Sequence, residues 1–566
     1  MSMKLTRKAL GLLADEHGTV RKDWGGRVSV ALVYPNTYAV GMSNLGFQTI
    51  YRHLNAIPDV VCERVFLPDP EDIDELRRTR SAPCSLESQR PLGDFHMVAF
   101  SVTYEGDYVN VLRILGFGGI PLRASERRPW DPLILMGGVC AFSNPEPIAP
   151  FMDFIVVGEG EELVVELMAA YRDGYRDRAG FLTALTGLSG VYVPERYEVS
   201  YAADGTIGEV KALGGAPAIV TKRRLRDVDA FETIAAIKTR GAEYGHMALL
   251  EVGKGCGRGC RFCLEGQVYR PVRHRSVDAL RRTVAEFARQ GETRIGLVGA
   301  CVSDYPWIGE LLKVVAEHGM ELSISSLRAD SLTADLAGAL ARGGHRTLTV
   351  APEAGTERLR RAIRKAITDD QIMEACDLVR ACGIPNFKCY FMLGQPTESA
   401  EDVEAIPRLA QRMLARLRVL DPAGRPFGRL TLSISSFVPK PWTPFQWAPF
   451  DGVESLRQKL DIVKRGVRGL PTVRVLHENP REAALQALLA RGDRRVADFL
   501  EAAARADGDW RRALREWDGD PEHYTTRARA TDERLPWDHF DVGVRKAGLV
   551  REWGRTLGGA SAADTP

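Results

Sequence analysis

The chain has 566 residues, room for about three domains at ~100–200 residues each, so a small stapled module is excluded. Lys and Arg number 76 against 74 Asp and Glu, a formal net charge of +2, which excludes the basic coat of a general nucleic-acid binder and the field of a membrane-surface protein. The ten cysteines fall far below the usage of a disulfide scaffold, and three of them crowd between Cys256 and Cys263, which points to chemistry in a reducing compartment.

The first residues, Met1-Ser2-Met3-Lys4-Leu5-Thr6-Arg7, run into charge instead of an apolar targeting segment, so a cytoplasmic location is expected. The longest apolar stretches, such as 133–142, are far short of the ~20 residues that span a bilayer, and no membrane association is expected.

From 27 to about 171, short β-rich runs at 28–33, 60–66, 96–102, 133–136 and 154–157 alternate with helical patterns. That alternation predicts a doubly wound, Rossmann-like parallel sheet as a domain over 1–171. Small and polar residues gather where the carboxyl ends of these strands fall: Pro35-Asn36-Thr37-Tyr38, Thr103-Tyr104-Glu105-Gly106, Gly137-Gly138 and Gly158-Glu159-Gly160-Glu161. Ligands of such sheets bind at that edge, although a plain α/β interaction domain shows the same strands.

Residues 172–240 read as a connector with a hairpin, 197–201 and 206–211, around the turn dipeptide Asp204-Gly205. Over 241–450 the alternation resumes, with strands near 247–252, 294–298, 321–325, 347–350, 387–392 and 430–436. Their starts recur every ~37 residues, which fits βα units closing into an incomplete (β/α)6 barrel. Between them, Ser276 opens a helix, Ser399 and Asp402 form a capping box, and Gly383 is placed to end a helix. Residues 451–566 are rich in Arg, Ala, Glu and Asp with helical periodicity. They predict a mainly α-helical C-terminal region with a disordered tail from Gly558 to Pro566.

Directly after the strand at 247–252 comes Gly255-Cys256-Gly257-Arg258-Gly259-Cys260-Arg261-Phe262-Cys263, three cysteines in a glycine-rich loop. Thiolates ligate iron–sulfur clusters, and glycines let a short loop wrap three ligands around one face of a cube, leaving one iron open. A zinc site completed by a fourth ligand such as Cys301 is the other reading of the residues themselves.

This spacing on the first strand of a six-strand βα series resembles the radical S-adenosylmethionine (SAM) superfamily. The resemblance implies that Cys256, Cys260 and Cys263 hold a [4Fe–4S] cluster whose fourth iron is chelated by SAM, with Phe262 beside it. It also implies that the reduced cluster, fed by an electron donor such as flavodoxin or ferredoxin, cleaves SAM to a 5′-deoxyadenosyl radical.

Later strand ends extend the resemblance. Val298-Gly299-Ala300-Cys301-Val302-Ser303-Asp304 stands where the superfamily's glycine-rich segment meets the SAM amino group, but departs from the usual Gly-Gly-Glu. Gly299 and Ser303 are the implied contacts, while Ser303 and Asp304 are equally suited to cap a helix. In Ser325-Ser326-Leu327-Arg328 the implied contacts are Ser326 and Arg328; Arg328 is suited to fork onto the SAM carboxylate, or else to form a surface ion pair.

Ala351-Pro352-Glu353-Ala354-Gly355-Thr356-Glu357 resembles the Glu-Ser-Gly-Ser-Glu segment of radical SAM methyltransferases and methylthiotransferases. It implies Glu353 on the SAM ribose or amine, with Thr356 suited to start a helix. Met392-Leu393-Gly394-Gln395-Pro396-Thr397-Glu398 resembles a Gly-x-Pro-x-Glu segment that lies against adenine, implying Leu393 and Gly394 there. Phe437-Val438-Pro439-Lys440-Pro441-Trp442-Thr443-Pro444-Phe445 resembles the closing Pro-x-Pro-x-Thr-Pro-Phe segment.

An α/β domain ahead of the barrel is similar to that of cobalamin-binding radical SAM enzymes, whose Gly-Gly and Asp-x-x-x-x-Gly-Glu-Gly-Glu segments match Gly137-Gly138 and residues 153–161. The implied cobalamin contacts are Asn36, Tyr38, Gly41, Tyr104, Glu105, Gly137, Gly138, Gly158, Glu159 and Gly160. The cobalt-ligating Asp-x-His-x-x-Gly is absent; the chain reads Asn36-Thr37-Tyr38-Ala39-Val40-Gly41, and no histidine can reach cobalt from there.

Residues 20–550 resemble one group of B12-binding-domain radical SAM proteins, through Ala490-Arg491-Gly492-Asp493-Arg494-Arg495 and Leu535-Pro536-Trp537-Asp538-His539-Phe540-Asp541 as well. Arg491, Asp493, Asp538 and His539 are candidates for a substrate lid, solvated helix charges being the plainer reading.

The resemblance implies methylation or rearrangement of an unactivated carbon in a small molecule or peptide. A methylthiotransferase acting on tRNA or a protein would need a second cluster, for which the N-terminal domain offers only Cys62, Cys84 and Cys140, and no basic RNA-binding domain follows the barrel. A non-catalytic cobalamin or redox sensor is the third reading.

Overall fold

The computed structural model describes residues 2–558; apart from Gly558, the expected disordered tail lies outside them. The chain forms two compact units, Met1–His246 with Leu488–Pro521 and Asp532–Gly543, and Met247–Ala487 with Glu522–Thr531 and Val544–Pro566. Residues 172–240, expected as a connector, fall within the first unit, and 451–566 are shared between the two.

In the first unit, β1 (Val28–Tyr34), β2 (Val60–Phe66), β3 (Met97–Ser101), β4 (Leu133–Gly137), β5 (Phe154–Val156) and β6 (Val191–Tyr192) form one sheet in the order β2-β1-β3-β4-β5-β6. All pairs are parallel except β5 with β6. Six of the seven residues of β1 are buried, which is why it reads as an unbroken apolar run instead of an alternation. One face packs Val30, Leu32 and Tyr34 on Phe47, Tyr51 and Leu54 of the helix Leu45–Ala56. The strand order reverses direction between β1 and β3, and that crevice is the topological switch point of the sheet. The predicted hairpin is β7 (Tyr197–Tyr201) and β8 (Ile207–Ala212), turning through Gly205; β9 (Val220–Thr221) follows.

In the second unit, β10 (Ala248–Glu251) leads into β11 (Gly253–Lys254), which pairs antiparallel with β12 (Arg273–His274) and so pins the base of the cysteine loop between them. Parallel pairing joins β10 to β13 (Arg294–Val298) and β13 to β14 (Glu321–Ile324). A second parallel sheet runs β15 (Thr347–Glu353), β16 (Asn386–Leu393), β17 (Arg429–Ser436) and β18 (Val473–His477). A single parallel bridge, Leu327 to Val350, connects the two sheets.

All six expected strands are present, and β18 adds a seventh that the sequence reading took for helix. Its side chains are mostly exposed, so Val473 and Val475 alternate with Arg474 without an apolar run, and pairing with β17 decides it. β19 (Phe540–Asp541) belongs to the first unit, where it pairs parallel with β9. The local helix signals hold: Ser276 accepts from the Ala279 N–H at 3.2 Å, Ser399 and Asp402 form a capping box, and Gly383 has φ 71°. Among the described residues no helix is long and apolar enough to cross a membrane.

Candidate active site

Because the strands of the second unit are parallel, the loops after β10, β13, β14, β15, β16 and β17 gather at one rim. Cys256, Cys260 and Cys263 sit in the first of these loops; Cys260 is 9% exposed and its neighbours are half-buried. The loop is held down by Arg261, whose N–H donates to the Ile363 carbonyl at 3.0 Å and whose guanidinium reaches the Ala362 carbonyl at 2.7 Å and Glu552 at 3.0 Å. Phe262 packs against an apolar cluster that includes Ala354, Leu359, Phe437 and Phe445, so it anchors the loop to the rim.

Burial pushes the Cys263 thiol up to about 12, against a hydrogen bond from the Gly266 N–H at 3.5 Å. Burial also raises Cys260, opposed by the nearby charges of Lys365 and Arg328. The three thiols lie within electrostatic reach of one another. Among the described residues no three His, Cys, Asp or Glu side chains converge on a single metal ion. Three cysteine sulfurs on one short loop, beside two cations, are instead the donor set of an anionic iron–sulfur cube, and the residues present fit that group.

The other expected SAM residues are spread along the same rim. Glu353 ends β15 and pairs with Lys365 at 2.7 Å, while its carbonyl accepts from Gln395 Nε2 at 3.0 Å. Leu393 is buried at the end of β16, and the Gly394 N–H donates to Glu398 at 2.9 Å; burial raises the Glu398 carboxyl, and Lys459 at 2.8 Å opposes it. Ser303 is buried and accepts from the Ser331 hydroxyl at 2.7 Å, whereas Ser326 and Gly299 are exposed. Thr356 caps the helix Glu357–Ala362, as its position suggested.

Arg328 forks onto Asp330, with Nε and Nη2 at 2.9 and 2.8 Å from its two oxygens. Glu353 at the end of β15, Thr397 after β16 and Trp442 after β17 hold φ of 69°, 64° and 60° without being glycine. Such left-handed residues persist only where surrounding structure fixes them, and they cluster at sites of function. The sequence reading missed Lys365, Gln395 and Asp330; all three are ordinary loop polars until the fold gathers the strand ends.

At the switch point of the first unit, Asn36 Nδ2 donates to Asp107 at 3.0 Å. Asp107 is almost fully buried, and burial pushes it up to about 6 despite hydrogen bonds from Asn36 and Asn110. Tyr104 is 44% exposed beside it and Glu105 is buried. The segment Tyr104-Glu105-Gly106-Asp107 had drawn attention to its first two residues only.

Other expected contacts at this edge turn out to serve the unit's own packing. Tyr38 donates to Glu16 at 2.7 Å, and Glu16 is paired with the buried Arg64. A Cβ on Gly41 would lie 2.6 Å from the Phe66 ring, and one on Gly160 2.9 Å from Ile50. Gly138, at φ 99°, passes so close to the Val102 carbonyl that a Cβ would sit 2.3 Å from its oxygen. Gly158, at φ 124°, meets the Arg223 carbonyl in the same way at 2.1 Å. The Glu159 carboxylate accepts from the Leu225 N–H at 2.6 Å. Gly158 and Glu159 therefore clasp residues 223–225, which leaves Asn36, Tyr104, Glu105 and Gly137 as the expected residues at the switch-point edge of the sheet.

The lid candidates are also corrected. Arg491, Asp493 and His539 are buried in the first unit and are neither solvated charges nor mobile cover. Asp538 accepts from the Leu535 N–H at 3.1 Å. Around them, Asn144 Nδ2 donates to the Ala490 and Gly492 carbonyls at 3.1 and 2.8 Å, and Arg494 pairs with Glu146 at 2.7 Å.

Residues 46–194 match the family described as radical SAM proteins, N-terminal, and residues 250–410 match the radical SAM superfamily. The uncharacterized protein MJ0966 of Methanocaldococcus jannaschii is 30% identical over 474 residues, 84% of this chain and 90% of that protein. MK0932 of Methanopyrus kandleri is 26% identical over 181 residues, 29% of this chain and 34% of its own. Among solved structures, the radical SAM methyltransferase TsrM from Kitasatospora setae, with cobalamin and a [4Fe–4S] cluster bound, shares the fold. Its TM-score is 0.52 at 13% identity, covering 87% of this chain and 100% of TsrM. The cysteine loop on the first strand of a parallel rim, the matched segments and the long relative together make this chain a radical SAM enzyme of one family with MJ0966, with a [4Fe–4S] cluster and SAM as its cofactors.

Proposed function

We propose that this radical SAM enzyme carries cobalamin at the carboxyl edge of its first sheet and methylates an unactivated carbon of a small molecule or peptide. The observation that carries the reading is the topological switch point between β1 and β3, with Asn36 and Tyr104 in the loops after those strands and Gly137 at the end of β4, in the same chain as the cysteine-bearing rim. TsrM, described as a methyltransferase with cobalamin bound, supports it through the shared fold.

A reduced cluster supplies the electron that cleaves SAM, and cobalamin supplies a methyl carrier for a carbon that has no lone pair. The chain's own part is binding and orientation. Cys256, Cys260 and Cys263 hold the cluster; Arg328 takes the SAM carboxylate; Glu353, aimed by Lys365 and Gln395, accepts from the ribose or amine. The end of β16 at Leu393 and Gly394 is the edge assigned to adenine. With Tyr38 where the Asp-x-His-x-x-Gly segment of other cobalamin domains has its histidine, this chain would hold cobalamin without that ligand, and a flavodoxin or ferredoxin delivers the electron.

Anaerobic reconstitution followed by iron, cobalt and 5′-deoxyadenosine assays tests this. The expected result is about four irons and one cobalamin per chain with SAM cleavage on dithionite reduction. About eight irons without cobalt would instead favour methylthiotransferase chemistry, and absence of SAM cleavage a sensor.

A further inference from the structure

Arg258 lies inside the cluster motif, between Cys256 and Cys260. Its guanidinium forks onto Asp304, with Nε and Nη2 at 2.6 and 2.7 Å from the two carboxylate oxygens, and its Nη1 reaches Asp330 at 3.2 Å. Asp304 closes the turn after β13 and Asp330 lies in the turn after β14. Asp330 simultaneously receives the fork of Arg328. Four charges therefore alternate in sign, Asp304, Arg258, Asp330, Arg328, across three consecutive strand ends.

An isolated exposed ion pair contributes little, but this chain of contacts is different in two respects. Asp330 and Arg328 have side chains only 12% and 11% exposed, and each fork fixes a planar group that the next contact uses. Asp330 occupies the Nε and Nη2 edge of Arg328, which leaves the Nη1 edge as the one on which a second planar carboxylate can fork. Arg258, which shares Asp330 with Arg328, belongs to the cysteine loop itself, so the two guanidinium groups are joined through one carboxylate.

We propose that Arg258 and Asp330 are positioning residues that couple the cluster loop to the SAM site. Asp330 aims Arg328 at the SAM carboxylate, and Arg258 ties that aspartate to the loop carrying Cys256 and Cys260. This rests on the carboxylate role of Arg328 proposed above. The coupling is reciprocal by linkage: a loaded cluster loop orders the residue that binds SAM, and bound SAM holds the loop closed on its cluster.

The test uses the reconstituted full-length holoenzyme and the variants Arg258→Gln, Arg258→Lys, Asp330→Asn and Arg328→Gln. SAM affinity is measured by anaerobic equilibrium dialysis, and iron release to a ferrous chelator is followed with and without SAM. In the wild type SAM slows iron release. In Arg258→Gln and Asp330→Asn, SAM binds about tenfold more weakly, the size of one lost charge-assisted contact, and its protection of the iron is lost. Arg258→Lys keeps the charge without the fork and recovers only part of the protection. Wild-type affinity and protection in both Arg258→Gln and Asp330→Asn, alongside weakened binding in Arg328→Gln, would overturn the coupling while leaving the carboxylate role standing. Unchanged binding in Arg328→Gln would overturn both.

Discussion

Cys260 is the least exposed of the three motif residues, and its replacement removes one proposed corner of the cluster's support. Cys260→Ala is expected to lose the brown absorbance and most of the iron after reconstitution; retained cluster absorbance would sink the ligand assignment. Asp107 offers a residue-scale test in the other unit. Its folded value, about 6, lies above the ordinary carboxylate value of 3.8, so the native state holds the proton more tightly than the unfolded chain. The stability it contributes is fully present below the unfolded value and is lost as pH rises through about 6. Asp107→Asn is therefore expected to stabilise the protein by about 3 kcal/mol at pH 8 and by less than about 1 kcal/mol at pH 4, read from urea unfolding midpoints. The motif cysteines were visible in the sequence because three thiols crowd into one short glycine-rich loop. Asp107 was not, since a single aspartate in a loop gives no sign of its burial.

At the scale of elements, two connections decide how the first unit is built. One is the clasp of residues 158–160 on 223–225. Gly158→Ala forces a Cβ to within 2.1 Å of a carbonyl oxygen at a left-handed φ and is expected to cost more than about 2 kcal/mol, seen as a lower thermal midpoint with an unchanged helix signal.

The other connection is the buried group of Glu146, Arg494, Tyr192 and His539. Burial works to raise the Glu146 carboxyl, but Arg494, His539 and the Tyr192 hydroxyl at 2.5 Å outweigh it and hold it down to about 2. A depressed carboxylate stabilises the fold above its ordinary value, and that stability is lost as pH falls through about 2, so unfolding should steepen below about pH 5. Arg494→Met leaves the buried carboxylate without its guanidinium partner and is expected to cost about 3–5 kcal/mol, while the double variant with Glu146→Gln recovers much of it in denaturant melts. Strand and cap signals were legible because each depends on residues within one element. The clasp and the Glu146 group join residues tens to hundreds of positions apart, and neither leaves a local pattern.

At the scale of the molecule, the C-terminal region is not an appendage. Leu488–Pro521 and Asp532–Gly543 are integral to the first unit, where the helix Val496–Arg505 buries Phe499 and Leu500 and Arg123 pairs with Glu501 at 2.7 Å. A chain ending at residue 487 strips Glu146 of Arg494 and Asn144 of its carbonyl partners, and is expected to be less soluble and to melt earlier. A truncated chain that melts at the full-length temperature would contradict this.

The sequence by itself determined the strand series, the helix caps and the crowding of three cysteines into one loop, because apolar periodicity, capping and thiol spacing are local and each residue's neighbours are already its neighbours in the chain. The tertiary structure decided the rest. Parallel strands brought Arg258, Asp304, Asp330 and Arg328 to one rim, and the same glycines that resembled a cofactor cradle were placed against the chain's own carbonyls. The return of the C-terminal segments buried charges that composition had marked as solvated. Those outcomes depend on which distant loops share an edge, and no local pattern of side chains encodes that.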